Sequence, residues 1–163
     1  MTARAMADAL ADPDQPRAGW RALMEQLRLS VGHKLFSAML AEPALGTKRR
    51  VFTSDAAAYP LGGRKPMPDN AYHRRIFREG SPFLAPDAAA IRAEFPDAEL
   101  ILSLGVASVL NVPVRFGGRV LGAINLLHDA HHYTDAHASR AMGCAAFAIP
   151  LLLAEGGLRD PGV

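Results

Sequence analysis

Four of the six histidines in this 163-residue chain, His128, His131, His132 and His137, fall in one short polar stretch. Imidazole nitrogens this dense, with Asp129 and Asp135 among them, can ligate a transition metal. Their spacing matches no standard zinc pattern, and an exposed polar loop accounts for them as well, so no metal is expected. The one cysteine, Cys144, stands among Ala141, Ala145 and Phe147. A thiol in such surroundings is an inert core group, and a lone cysteine excludes an internal disulfide and a multi-cysteine zinc site.

A second group of residues is suited to an anion. Tyr72, His73, Arg74 and Arg75 are consecutive, and Ser54, Tyr59, Arg64 and Lys65 precede them. Arginine forks match the geometry of carboxylate, nitrate or phosphate. If the charges face water instead, the segment is a plain solvated lid. Phe36, Phe52, Ile76, Phe77 and Phe83 would line the apolar part of such a pocket, or simply fill a core. An enzyme could use Tyr72 or His73 as acid–base, and His73 or His33 could ligate haem iron, though no spacing favours either. Ser108, Asn111 and Asn125 add polar groups to the most apolar stretch. Buried amides need partners, which neighbouring backbone supplies as readily as a ligand.

That apolar stretch is Ser108–His128, two β-prone runs joined by Gly117-Gly118. Two glycines can both take positive φ, which a two-residue hairpin requires. The second run has almost no polar face and reads as a central strand covered on both sides. With the register set by that turn, Asn111 stands opposite Ile124 and Asn125 opposite Leu110. The two amides then point to opposite faces, and at most one can touch a ligand.

Upstream, Trp20, Leu23, Met24, Leu27 and Val31 recur at helical spacing and place a helix over Arg17–Leu29. Leu35–Ala41 and Arg49–Ser54 read as a strand pair around a Pro/Gly turn. Residues 56–68 read as a long irregular loop, of the kind that often carries function. Asp69 or Asn70 caps a helix running to about Glu79, and Asp87 caps another over Ala88–Glu94. Ser81–Ala85 is a short strand, and a short helical piece runs from Asp97 to Ser103. Thr134 caps a final helix to Glu155, which Pro150 must kink or divide. The order describes one α+β domain over residues 17–155 with an antiparallel sheet. A flexible leader (1–16) and a short tail (156–163) are expected on either side.

Half the residues are hydrophobic and the net charge is +2. The two basic triplets, Lys48-Arg49-Arg50 and His73-Arg74-Arg75, read as solvated faces, so no nucleic-acid partner is expected. No signal peptide or membrane-length apolar run is visible, and a cytoplasmic location is expected.

The run SxLNVPVxxGGxVLGAINLLH at Ser108–His128, then Tyr133-Thr134-Asp135 and an alanine-rich last helix, resembles the GAF domain. Leu35–Ser54 with the Tyr59–Pro68 loop fits the same plan, and the resemblance covers residues 18–155. It implies a central antiparallel sheet with the helices of both chain ends on one face, often forming a dimer. Shorter helices and loops on the other face would enclose a ligand pocket. Ligands across the family include cyclic nucleotides, bilins, haem, nitrate and 2-oxo acids. One branch reduces free methionine sulfoxide with a pair of thiols. Here the corresponding stretch, Gly105-Val106-Ala107-Ser108, has none, and a bilin thioether lacks a cysteine too. The reading is therefore a stand-alone sensory module without a cofactor. It binds a small polar or anionic molecule and dimerises through its terminal helices. A sulfoxide-reductase-like, metal- or haem-dependent enzyme is the alternative. The ligand set is expected among Phe52, Ser54, Tyr59, Arg64, Tyr72, His73, Ile76, Ser108 and Asn111.

Overall fold

The computed structural model describes residues 3–156. The tail beyond Gly156 lies outside them. Six strands form one antiparallel sheet in the order β3-β2-β1-β6-β5-β4. They are β1 (Leu35–Glu42), β2 (Thr47–Thr53), β3 (Arg64–Pro66), β4 (Phe83–Ala85), β5 (Ser108–Phe116) and β6 (Arg119–His128). Gly117 (φ 56°) and Gly118 (φ 73°) make the tight turn between β5 and β6. Residues 64–66, expected inside an irregular loop, instead pair with β2 as an edge strand that sets Lys65 across from Lys48.

Side chains alternate cleanly between the two faces of the central strands. Phe36, Ala38 and Leu40 of β1, Leu110, Val112 and Val114 of β5, and Ile124 and Leu126 of β6 point to one side. There they meet Trp20, Leu23 and Leu27 of α2 (Arg17–Ser30), together with α6 (Asp135–Ala145) and α7 (Ala148–Ala154). Each large apolar side chain taken out of water on this face contributes roughly 1.5–3 kcal/mol. The last helical segment is divided, with a bend of 53° between α6 and α7. Pro150 has no N–H to donate to Ala146, whose carbonyl accepts instead from Ile149 at 3.2 Å.

Residues 3–11, expected within a flexible leader, form a helix, α1, that lies on α2. Its Met6 is 2 % exposed and joins the core. The alanine- and aspartate-rich composition hid an amphipathic turn with one methionine as its anchor.

Shorter elements cover the other face of the sheet. These are the 54–63 loop, α3 (Ala71–His73) running into a π-helical turn at Arg74–Arg78, α4 (Ala88–Glu94) and α5 (Ala98–Ser103). Asn70 caps α3 by accepting from the His73 amide at 2.9 Å, and Asp87 caps α4 by accepting from Ala90 at 2.9 Å.

Two bulges break the alternation. One extra residue in β6 shifts the register at Val114/Arg115, so Asn111 faces Asn125 and not Ile124. A second shift, at Ala38/Met39, gives β2 its extra residue. Val51 and Phe52 then both turn toward the terminal helices. A bulge inserts two residues opposite one and flips everything beyond it.

Candidate functional site

Between the sheet and its short covering elements lies a cavity of about 60 Å³. Its floor is the lid-facing side of four strands. β1 gives Ser37 and Met39, β2 gives Lys48 and Arg50, β5 gives Val109 and Asn111, and β6 gives Asn125 and Leu127. Tyr59, Lys65, Tyr72, Phe95, Asp97 and Ile101 close it from above and from the sides.

Three cations and a single carboxylate share this space. Lys65 donates to Asp97 at 2.5 Å, which leaves Lys48 and Arg50 without an acid. Lys48 is 7 % exposed. Its Nζ lies 3.0 Å from His73 Nε2, 3.3 Å from the Tyr72 hydroxyl and 4.5 Å above the Tyr72 ring. All of these partners are neutral. The Nδ1 of His73 donates to Asn70 Oδ1 at 2.7 Å, which leaves Nε2 to accept from the lysine. Burial, with repulsion from Lys65 and Arg50, pushes Lys48 down to about 7. Burial and the neighbouring lysine push His73 to about 4. Burial raises the Tyr59 phenol to about 12 and Tyr72 further still, so both hydroxyls stay protonated.

Arg50, also 7 % exposed, lays its guanidinium 4.5 Å above the Tyr59 ring and sends Nη1 to the Pro60 carbonyl at 3.5 Å. Its Nε is buried with no partner. Across the floor, Asn111 Nδ2 donates to Asn125 Oδ1, and Asn125 Nδ2 donates to Ser37 Oγ at 3.0 Å. Asn111 Oδ1 is buried without a partner as well. A buried polar atom without a hydrogen bond costs about 1–3 kcal/mol, so Arg50 Nε and Asn111 Oδ1 are two unmet polar atoms in residues that line the cavity. Apolar Val109, Leu127, Ile101 and Phe95 line the remainder.

Of the residues singled out from sequence, Tyr59, Tyr72 and Asn111 line this cavity, and His73 reaches it through Lys48. Ile76 is fully buried behind the lid against Tyr72 and Ala123. Phe52 lies on the opposite face, stacked 5.9 Å from Trp20, because of the bulge in β2. Ser54 ties the strand end to Phe36, its Oγ accepting from the Phe36 amide at 2.9 Å. Ser108 Oγ donates to the Asp129 carbonyl at 2.7 Å and is taken up there. Arg64 faces an open groove of about 1020 Å³ at the hairpin end of the sheet. Its guanidinium pairs there with Glu42 at 2.9 Å, and Arg49 pairs with the same carboxylate.

Sequence reasoning missed Lys48, Arg50 and Asp97, and it set Asn125 on the face opposite Asn111. The Lys48-Arg49-Arg50 triplet is not one solvated face: residues 48 and 50 point into the cavity while Arg49 turns to Glu42 and Glu155. Strand period within a basic triplet was the available signal. The amides, expected on opposite faces, share one.

The histidine run does other work. His128 and His132 stack at 3.6 Å, His132 Nε2 meets the Val31 carbonyl at 2.9 Å, and His137 Nδ1 accepts from the Thr134 amide at 3.2 Å. Among the described residues no three His, Cys, Asp or Glu side chains converge as metal ligands. Burial raises the thiol of Cys144.

Solved structures similar to this chain have the same fold. The GAF domain of a phosphoenolpyruvate-protein phosphotransferase from Acinetobacter superposes with a TM-score of 0.72 at 10 % identity, over 97 % of this chain and 94 % of that one. Its counterpart from Coxiella burnetii gives 0.69 at 17 %, over 95 % and 94 %. The GAF domain of a two-component sensor histidine kinase from Bacillus halodurans gives 0.67 at 11 %, over 85 % and 93 %. Among curated proteins none matches the sequence. The GAF domain family matches residues 18–149, most of the chain. This protein therefore belongs to the GAF domain family, a sensory small-molecule-binding fold.

Proposed function

We propose that this chain is a ligand-sensing GAF domain whose cavity between sheet and lid binds a small anion. The observation that carries the reading is the pair Lys48 and Arg50, buried side by side without a carboxylate between them. Burying uncompensated charge is expensive, and an anion placed there offsets that cost for both groups at once. The unpartnered Arg50 Nε–H can donate a directional bond to the anion, and Asn111 can do so once its amide is turned to bring Nδ2 where the unpartnered Oδ1 stands. At about 60 Å³ the space suits a few heavy atoms and is far too small for a nucleotide, bilin or haem.

Sensing needs a route outward. The two terminal helical segments lie on the reverse of the strands that floor the cavity. A homodimer through α2 and α6 would read small shifts of those strands, and the 62 % exposed Leu29 on α2 suits such an interface. A cytoplasmic setting is part of the reading and rests on the lone free thiol.

A thermal-shift series tests the binding step. Nitrate, or the short carboxylates acetate and pyruvate, should raise the melting temperature, whereas amino acids, purines and cyclic nucleotides should not. An anion at a hundred times its Kd adds about 2.7 kcal/mol. Arg50→Gln should remove the response. A flat response to every anion, in protein shown by mass spectrometry to carry no ligand, refutes the reading.

A further inference from the structure

We infer that the cavity takes its anion together with a proton, which Lys48 receives as the anion arrives. This rests on the anion-binding reading above and specifies its ligand class: a small oxyanion of charge −1, either a short carboxylate or an inorganic ion such as nitrate. The geometry behind it is the amine's surroundings. From α3, Tyr72 and His73 present neutral acceptors to Nζ. On β2, Arg50 is a second cation, with Tyr59 against its guanidinium. Across the strand pair Lys65 is engaged by Asp97. Glu94 is turned away, accepting from the Tyr72 amide at 3.3 Å. The groups that touch Lys48 are thus uncharged, the acceptors of Tyr72 and His73 and the rings of Tyr72 and Phe77, while Asp97 favours the ammonium only through space because Lys65 engages it.

An entering oxyanion changes that balance, because it can bond Nζ directly, whereas Asp97 is held by Lys65. The amine gains a proton from solvent and an N⁺–H···O⁻ bond, while His73 Nε2 loses none of its acceptor role. The floor can adapt too. Turning both amides reverses the hydrogen-bond chain, so that Ser37 donates to Asn125, Asn125 donates to Asn111, and an Asn111 N–H faces the anion.

Lys48 titrates near 7 among its protein neighbours, and an adjacent anion moves it upward. Below about pH 7 the amine is already charged and affinity is level. Above it each bound anion must bring a proton, and affinity falls by up to tenfold per pH unit. Calorimetric titration of the whole protein with nitrate and with pyruvate, from pH 6 to pH 9, in two buffers of different ionisation heat, reads both quantities. We expect uptake of half to one proton per anion at pH 8. Heat with nitrate alone points to an inorganic ligand, and heat with pyruvate alone to a carboxylate; either supports the inference if protons are taken up.

Lys48→Arg should bind without proton uptake and with flat pH dependence, and His73→Gln should keep the uptake. If the uptake disappears in His73→Gln and survives in Lys48→Arg, the assignment to Lys48 falls. Should Lys48→Arg fail to fold, the buffer dependence of the unaltered protein still decides. Binding with no proton uptake at pH 8 overturns the proton linkage and leaves anion binding standing. No heat from either anion at pH 6 overturns both.

Discussion

Lys48 shows what the proposed anion site costs the folded protein. Its amine lies in a half-apolar hollow, held down to about 7 from an ordinary 10.5. Between those values the unfolded chain carries more of this proton than the folded one. The penalty is therefore complete below about pH 7 and fades as the pH rises to 10.5. Replacing the lysine with an apolar residue of similar length removes it. We expect Lys48→Met to be more stable than the parent at pH 6. The gap should close by up to about 1.4 kcal/mol per pH unit between pH 7 and pH 10.5. Urea denaturation of the two proteins side by side measures it, and the difference between them cancels the other groups that titrate in that range. Parallel stability curves across those pH values would mean that the ammonium is well solvated in the fold. The same variant should bind no anion, so stability and function are opposed at this one position.

Among the elements, β6 carries the strictest demand. Gly122 sits opposite Leu40, and a Cβ built on it would stand 2.0 Å from the Met39 carbonyl oxygen and 3.1 Å from Leu152 Cδ1. Backbone on one side and α7 on the other leave the methyl no place to go. Gly122→Ala should cost roughly 1–3 kcal/mol, seen as a lower urea midpoint at unchanged slope. A loss below half a kcal/mol would show that β1 and β6 part easily there. This strand also marks where sequence reading succeeds and stops. The apolar run, the glycine turn and the capping residues Asn70, Asp87 and Thr134 all announce themselves, because each follows from local backbone chemistry. The extra residue that shifts β5 against β6 leaves no compositional trace, and it alone brings Asn111 and Asn125 together. The bulge opposite Ala38/Met39 is equally silent, and it sends Phe52 away from Arg50. Edge strand β3 was hidden for a related reason: three residues containing a proline hold their place only through pairing with β2.

At the scale of the whole molecule the sheet is a partition with different chemistry on each side. One side is an unbroken apolar core beneath α1, α2, α6 and α7; the other holds the charges and the amide chain. The chain Ser37–Asn125–Asn111 crosses three neighbouring strands, β1, β6 and β5. These strands carry Phe36, Ala38, Leu110, Val112, Ile124 and Leu126 on the reverse face, under the terminal helices. An anion that fixes the amide chain therefore stiffens the strands on which those helices rest. Packed cores transmit such changes because their side chains interdigitate with little free volume. Hydrogen exchange with and without saturating pyruvate or nitrate should show slower exchange in the lid, residues 70–80. It should also show slower exchange in α2 and α6, which touch no ligand. Protection confined to the lid would make the domain a binder whose occupancy stays local, and the proposed signalling through the terminal helices would fail. Asn125→Leu removes the middle of the chain while leaving Lys48 and Arg50 in place. In that variant the lid should still gain protection at a ligand concentration raised to match its weaker affinity, and α2 and α6 should not.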